Sequence, residues 1–126
     1  RRAEAGVAML TITEAQIRAM RAATRAAFAG RAVAHLRRRF PARSAPVEDA
    51  RLRAFVDLGI DRARRYGIVG EADVLRYLEY MLIYGARFDT DPRFAWAGEI
   101  LRRAGLGPSR RMDLIDDYDM FRMNRS

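Results

Sequence analysis

Apolar residues recurring at three- and four-residue spacing predict an all-α fold, a compact bundle of about five helices in a single domain. Two further observations support it. No stretch alternates with the period-two pattern of a strand, and glycine, proline and capping residues fall where the periodic segments begin and end. With 126 residues and half of them hydrophobic, the chain is long enough to bury one core and too short for two domains. Residues 1–10, polar and small apart from Val7, Met9 and Leu10, are expected to be a flexible leader, and residues 11–126 the helical domain.

The first predicted helix starts at Thr13, where Thr13-Glu14-Ala15-Gln16 has the form of a capping box and Ile12 can staple onto Ile17. Its apolar face is Ile17, Met20, Ala27, Phe28, Leu36 and Phe40. The stripe rotates near Gly30, where a bend or break is expected, and Pro41 ends the helix by excluding Phe40 from the α region. A loop, Ala42-Arg43-Ser44-Ala45, then leads to Pro46 as the first turn of a second helix, whose Glu48 and Asp49 complement the helix dipole. That helix buries Leu52, Phe55, Val56, Ile60 and Ala63 and ends at Gly67, with Ile68 supplying the apolar contact of a Schellman cap.

A third helix from Gly70-Glu71 to Gly85 carries Val74, Tyr77, Leu78, Met81 and Leu82 and is expected at the centre. Leu78 should be buried together with Phe55 and Trp96. The fourth, entered through Pro92, carries Phe94, Trp96, Ala97, Ile100 and Leu101, with Gly105, Gly107 and Pro108 closing it. The last runs from about Ser109 to Met123 and presents Met112, Leu114, Ile115, Tyr118 and Phe121.

Composition excludes several chemistries. There is no cysteine, so disulfides, thiolate metal sites and cysteine nucleophiles are ruled out. The absence of cysteine fits a cytoplasmic protein, and no apolar run has the length of a membrane span, so no membrane contact is expected. His35 is the single histidine. The serines, Ser44, Ser109 and Ser126, lie in no nucleophile-elbow context, so His35 is read as structural. Asp89-Thr90-Asp91-Pro92 has the alternating acids of a calcium loop but lacks its later glycine and glutamate, so one of the three is expected to cap the next helix. Asp113, Asp116, Asp117 and Asp119, with no histidine beside them, are read as a solvated or salt-bridged face. No catalytic, cofactor-binding or metal-ligating residue is assigned, and a non-enzymatic protein is expected.

All 24 basic residues are arginine, giving a net charge of +8. Coding bias accounts for the absence of lysine, but the distribution is uneven. Residues 1–65 hold fifteen arginines against six acids, and residues 66–126 nine against ten. No acid lies between Glu14 and Glu48. Arg18, Arg21 and Arg25 share one face of the first helix beside a strip of small residues, Ala15, Ala19, Ala22 and Ala26. Arginine forks suit carboxylates, and small residues let a partner come close, so Arg18, Arg21 and Arg25 are the expected partner-binding residues, for an acidic protein segment. The alternative is a basic nucleic-acid-binding module, although no readout motif accompanies the charge. A toxin-neutralising immunity protein is a further alternative.

Several elements form one longer pattern: His35-Leu36-Arg37 through Phe40-Pro41, Gly59-Ile60-Asp61-Arg62-Ala63 with Tyr66-Gly67-Ile68, Glu71, Asp73-Val74, Tyr77-Leu78 and Met81. Gly85, Phe88-Asp89, Asp91-Pro92, Trp96-Ala97, Ile100-Leu101 and Arg111-Met112-Asp113 continue it. Over roughly residues 12–118 the chain resembles small helical bacterial proteins encoded near type VI secretion spike and effector genes. The resemblance implies an adaptor or chaperone-like protein that escorts an effector or spike component, and it brings no catalytic residues with it.

Overall fold

Capping chemistry sets the first helix. In the computed structural model, which describes residues 12–125, Gln16 N–H donates to Thr13 Oγ1 at 3.1 Å and Thr13 N–H to Gln16 Oε1 at 2.9 Å. Two donors at the helix start are thus satisfied reciprocally. Helix α1 then runs from Glu14 to Arg39, 26 residues and about 39 Å at 1.5 Å per residue. It passes through Gly30 without the expected break, because strong helix formers flank that single glycine on both sides. Its buried stripe is Phe28, Ala29, Ala32 and Leu36, whereas Ala27 is exposed, Ile17 half-buried and Met20 exposed. All of the fully buried residues of α1 lie in its C-terminal half.

Phe40, at φ −130° and ψ 64°, breaks the axis as its proline neighbour demands. Pro41 then opens a short helix, α2 (Pro41–Ser44), where a loop was expected. Proline with its fixed φ suits a first turn, and the Ser44 hydroxyl returns a hydrogen bond to the Phe40 carbonyl at 2.8 Å. The bundle therefore has six α-helices among the described residues. Pro46 lies outside the next helix, α3 (Asp49–Arg64), whose N-cap is Glu48. Arg37 fixes this corner by donating to the carbonyls of Ser44 and Val47 and to Asp49.

α3 ends as its sequence predicts. Gly67 adopts φ 73°, Ile68 N–H reaches the Ala63 carbonyl at 3.1 Å and Gly67 N–H the Arg64 carbonyl at 2.9 Å. Ile68 and Ala63 are both fully buried, which completes a Schellman motif. α4 (Glu71–Tyr84) follows and stops at Gly85, φ 110°. A 3₁₀ turn at Pro92–Phe94, capped by Asp91, leads into α5 (Ala95–Leu101). Pro108 does not close α5; it begins α6 (Pro108–Arg125).

α3 packs along both α1 and α4, α4 against α6, and α6 against α5. α4 contributes Val74, Tyr77, Leu78, Tyr80 and Met81 to the interior, whereas two of the four buried residues of α1 are alanines. At about 1.5–3 kcal/mol for each large apolar side chain buried, α4 is the main hydrophobic anchor. Gly59 on α3 allows a close approach, since a methyl there would run into the buried side chains of Leu78 and Met81. Phe55 and Trp96 do not join Leu78 in one buried nucleus; both are only partly buried. Trp96 lies on the short, peripheral α5, stacked on Tyr118 at 4.9 Å with the Arg122 guanidinium 4.8 Å over its ring.

The interior also contains an ion pair. Arg62 of α3 donates to Asp89 at 2.5 Å, and the Tyr66 hydroxyl donates to the other Asp89 oxygen at 2.6 Å. Burial opposes the Arg62 charge, but its bond to Asp89 and the field of that carboxylate outweigh this, leaving its pKa raised. Leu78→Ala is expected to cost about 2–5 kcal/mol as a large-to-small change at a closed site. Asp89→Ala should cost about 3–5 kcal/mol, because it leaves Arg62 buried without its counter-charge. Urea denaturation of each variant measures both.

Candidate partner-binding groove

Because the burial of α1 stops at Phe28, the helix's N-terminal half overhangs the end of α3. α1 and α3 run antiparallel, as the pairings of Arg25 with Asp61 and of Arg37 with Asp49 show. The overhang therefore faces the last turn of α3, the turn after it and the start of α4. Between these elements lies a groove of about 890 Å³. Phe28, Ile60, Ile68 and Val74 form its floor, and Ile12, Ile17, Met20 and Val69 its walls. Ile12, Met20 and Val69 are 51%, 60% and 64% exposed, so the walls are apolar surface open to solvent. Arg21, Arg25 and Arg64 stand at its edge, with Glu71 the one acid among the lining residues.

The three arginines expected to bind a partner do not play equal parts. Arg18 and Arg21 are exposed, with no carboxylate partner among the described residues. Arg25 is half-buried, donating to Asp61 Oδ1 at 2.9 Å and to the Asp57 carbonyl at 3.0 Å, so it holds α1 to α3 and is not available as an open cation. The bond from Arg25 keeps the Asp61 carboxyl below the ordinary carboxylate range despite some opposing desolvation. Of the small-residue strip, Ala22 reaches the groove, and Ala15, Ala19 and Ala26 are exposed. Val69 and Arg64 were not singled out from the sequence. The signal was the apolar pair Ile68-Val69 between two glycines: one apolar residue suffices for the cap, and the other is left outside.

The remaining candidate sites have internal partners. His35 Nε2 lies 2.6 Å from Glu79 Oε2, and Arg39 Nε is 3.8 Å from the same oxygen, linking α1 to α4. The Ser44 and Ser109 hydroxyls donate to the Phe40 carbonyl and to Asp73, so neither faces His35 as a nucleophile. Asp89 and Asp91 diverge: the first is buried on Arg62, and the second accepts from Arg93 N–H at 2.9 Å as the cap. Three of the four aspartates of α6 are drawn to α4, and Asp117 is exposed. Arg76 binds Asp113, Asp116 and Asp73, Tyr80 donates to Asp116 at 2.5 Å, and Tyr84 donates to Asp119. Among the described residues no group of three or more acid or histidine side chains is arranged to hold a metal ion. No described helix is long and apolar enough to cross a membrane. Residues 1–10, expected as a leader, lie outside the described residues.

Comparison of the chain with protein-family models, with curated proteins and with solved structures gave no match.

The buried phenols set a pH limit. Burial, followed by the bond to Asp89, pushes Tyr66 up to about 12 from the ordinary 10.0. Burial likewise raises Tyr77, Tyr80 and Tyr84, reinforced by Asp89, Asp116 and Asp119 respectively. A raised phenol favours the folded state only while it is neutral. Its contribution is complete below the unfolded-state value near 10 and declines as pH rises above that value. Absorbance titration of the folded protein should show these four phenols ionising above the ordinary range, with cooperative loss of helicity as they do. Ionisation at the ordinary value with helicity intact would refute the arrangement.

Proposed function

We propose that the protein is a non-enzymatic helical adaptor that holds an acidic, amphipathic helical segment of a protein partner in the α1 groove. The observation that carries this reading is the pairing of solvent-open apolar walls, Ile12, Met20 and Val69, with the exposed Arg21 at the groove's edge; Arg18, also exposed, stands one turn before it on α1, outside the lining. An amphipathic helix laid in such a groove buries apolar anchors on the walls while its carboxylates meet the arginine forks. The resemblance to proteins encoded beside type VI secretion genes makes an effector or spike component the partner of choice.

Charge accounting disfavours a bare phosphate backbone. Arg25, Arg31, Arg37 and Arg39 each have a carboxylate of this chain within ion-pair distance, so much of the basic stripe is neutralised internally. Nucleic-acid affinity grows with the number of cations left to displace counterions. Apolar walls would also gain nothing from phosphate.

Arg18→Glu with Arg21→Glu, leaving Arg25 in place, tests the reading. The variant should keep its far-UV spectrum and lose at least about tenfold in affinity for the native partner, since like charges would then face each other. A photo-crosslinker at Met20 or Val69 should label an acidic helical segment of that partner. Wild-type affinity in the folded variant would exclude the groove, and equal loss of partner and random DNA would favour the nucleic-acid alternative.

A further inference from the structure

We propose that the groove also receives a second copy of this chain, through the outward face of α6 around Asp117, Met120 and Met123. This rests on the groove reading above and supplies a self-partner that competes for it. The last fully buried residue of α6 is Ile115. Beyond it the helix continues with Met120 and Met123 66% and 64% exposed and Asp117 exposed next to them. Asp113, Asp116 and Asp119 are held by Arg76, Tyr80, Tyr84 and Arg122 of the same chain, so Asp117 is the aspartate of α6 with no partner among the described residues, whereas α1 holds no acid after Glu14. One end of the molecule thus presents apolar walls edged by arginine, and the other an apolar helix face edged by aspartate.

The position of α6 determines which copy supplies it. Ser109 bonds to Asp73, Asp116 to Tyr80 and Asp119 to Tyr84, so α6 runs parallel to α4. The groove lies at the N-terminal end of α4, and the α6 tip lies beyond its C-terminal end. A chain cannot fill its own groove with its own α6. Two antiparallel copies bring each tip to the other's groove, and the two identical contacts close the pair. Pairing α1 with α1 would instead set Arg18 and Arg21 against their own copies.

Sedimentation velocity over a range of concentrations tests this. The intact chain should form a concentration-dependent dimer. Met120→Glu with Met123→Glu, Asp117→Arg, and Arg18→Glu with Arg21→Glu should each weaken the dimer at least about tenfold with unchanged helicity, because each removes one side of the same contact. A labelled peptide of residues 108–125 should bind the α6 variant, whose groove is intact, and not the groove variant. A chain monomeric at every concentration overturns the proposal, as does a dimer that survives the α6 substitutions, or one lost only when residues 1–11 are removed. If the dimer fails these tests while the groove variant still loses its native partner, the self-association is wrong and the adaptor reading stands. If the groove variant keeps its partner, the adaptor reading fails.

Discussion

The Arg62–Asp89 pair lies where α3 meets the segment between α4 and α5, and both residues are almost wholly buried. A lone charge in that position would be unaffordable, so the two halves of the bundle must come together in one arrangement. Gly98 tightens the constraint, since a methyl there would meet the Asp89 backbone carbonyl. The Tyr66 hydroxyl occupies the second carboxylate oxygen, which ties the end of α3 to the same point. With α3 fixed, its last turn and the Schellman turn that follows it are fixed too, and these form one side of the groove. The surface proposed to bind a partner therefore depends on an interaction that is itself almost wholly buried.

Local signals were the legible part of this fold. The Thr13 capping box, the stop at Phe40-Pro41 and the Gly67-Ile68 cap each involve residues within a few positions of one another, and all three appear as their sequence implies. Errors arose where tertiary context decided. Pro41 ends α1 as expected and also starts α2, and Pro108, expected to close α5, starts α6, because proline is compatible with both roles and only the neighbouring backbone chooses. Periodicity puts Ala27 on the apolar face of α1, but the buried stripe of that helix is Phe28, Ala29, Ala32 and Leu36, and Ala27 is exposed. Of the three residues expected to cap the next helix, Asp91 does so, while Asp89 turns inward. Its true partner lies 27 positions away, and no local pattern encodes that distance.

The candidate site was legible in outline for a similar reason. Helical periodicity put Arg18, Arg21 and Arg25 on one face, which the structure retains. It did not reveal that Asp57 and Asp61 lie across from Arg25, one helix away. Nor did it reveal that α1 outruns its neighbours. Overhang is a relation between helix lengths and packing positions, so the exposure of Ile12 and Met20 becomes visible only after α3 is placed against α1.

Arg111 shows what this bundle asks of arginine in particular. Its Nε, Nη1 and Nη2 donate to the carbonyls of Leu106, Leu101 and Tyr66, gathering the ends of α3 and α5 and the loop before α6 around one planar group. A lysine ammonium on its flexible stem could not reproduce three donors in that fixed fan. The Tyr66 carbonyl comes from 45 positions earlier in the chain, so the fan is complete only after α3 has ended and α5 and α6 have docked. It works as a keystone that holds three ends together. Its three bonds exist together only in the complete arrangement of α3, α5 and α6, so the joint stabilises that arrangement as a whole and no pair of its elements alone.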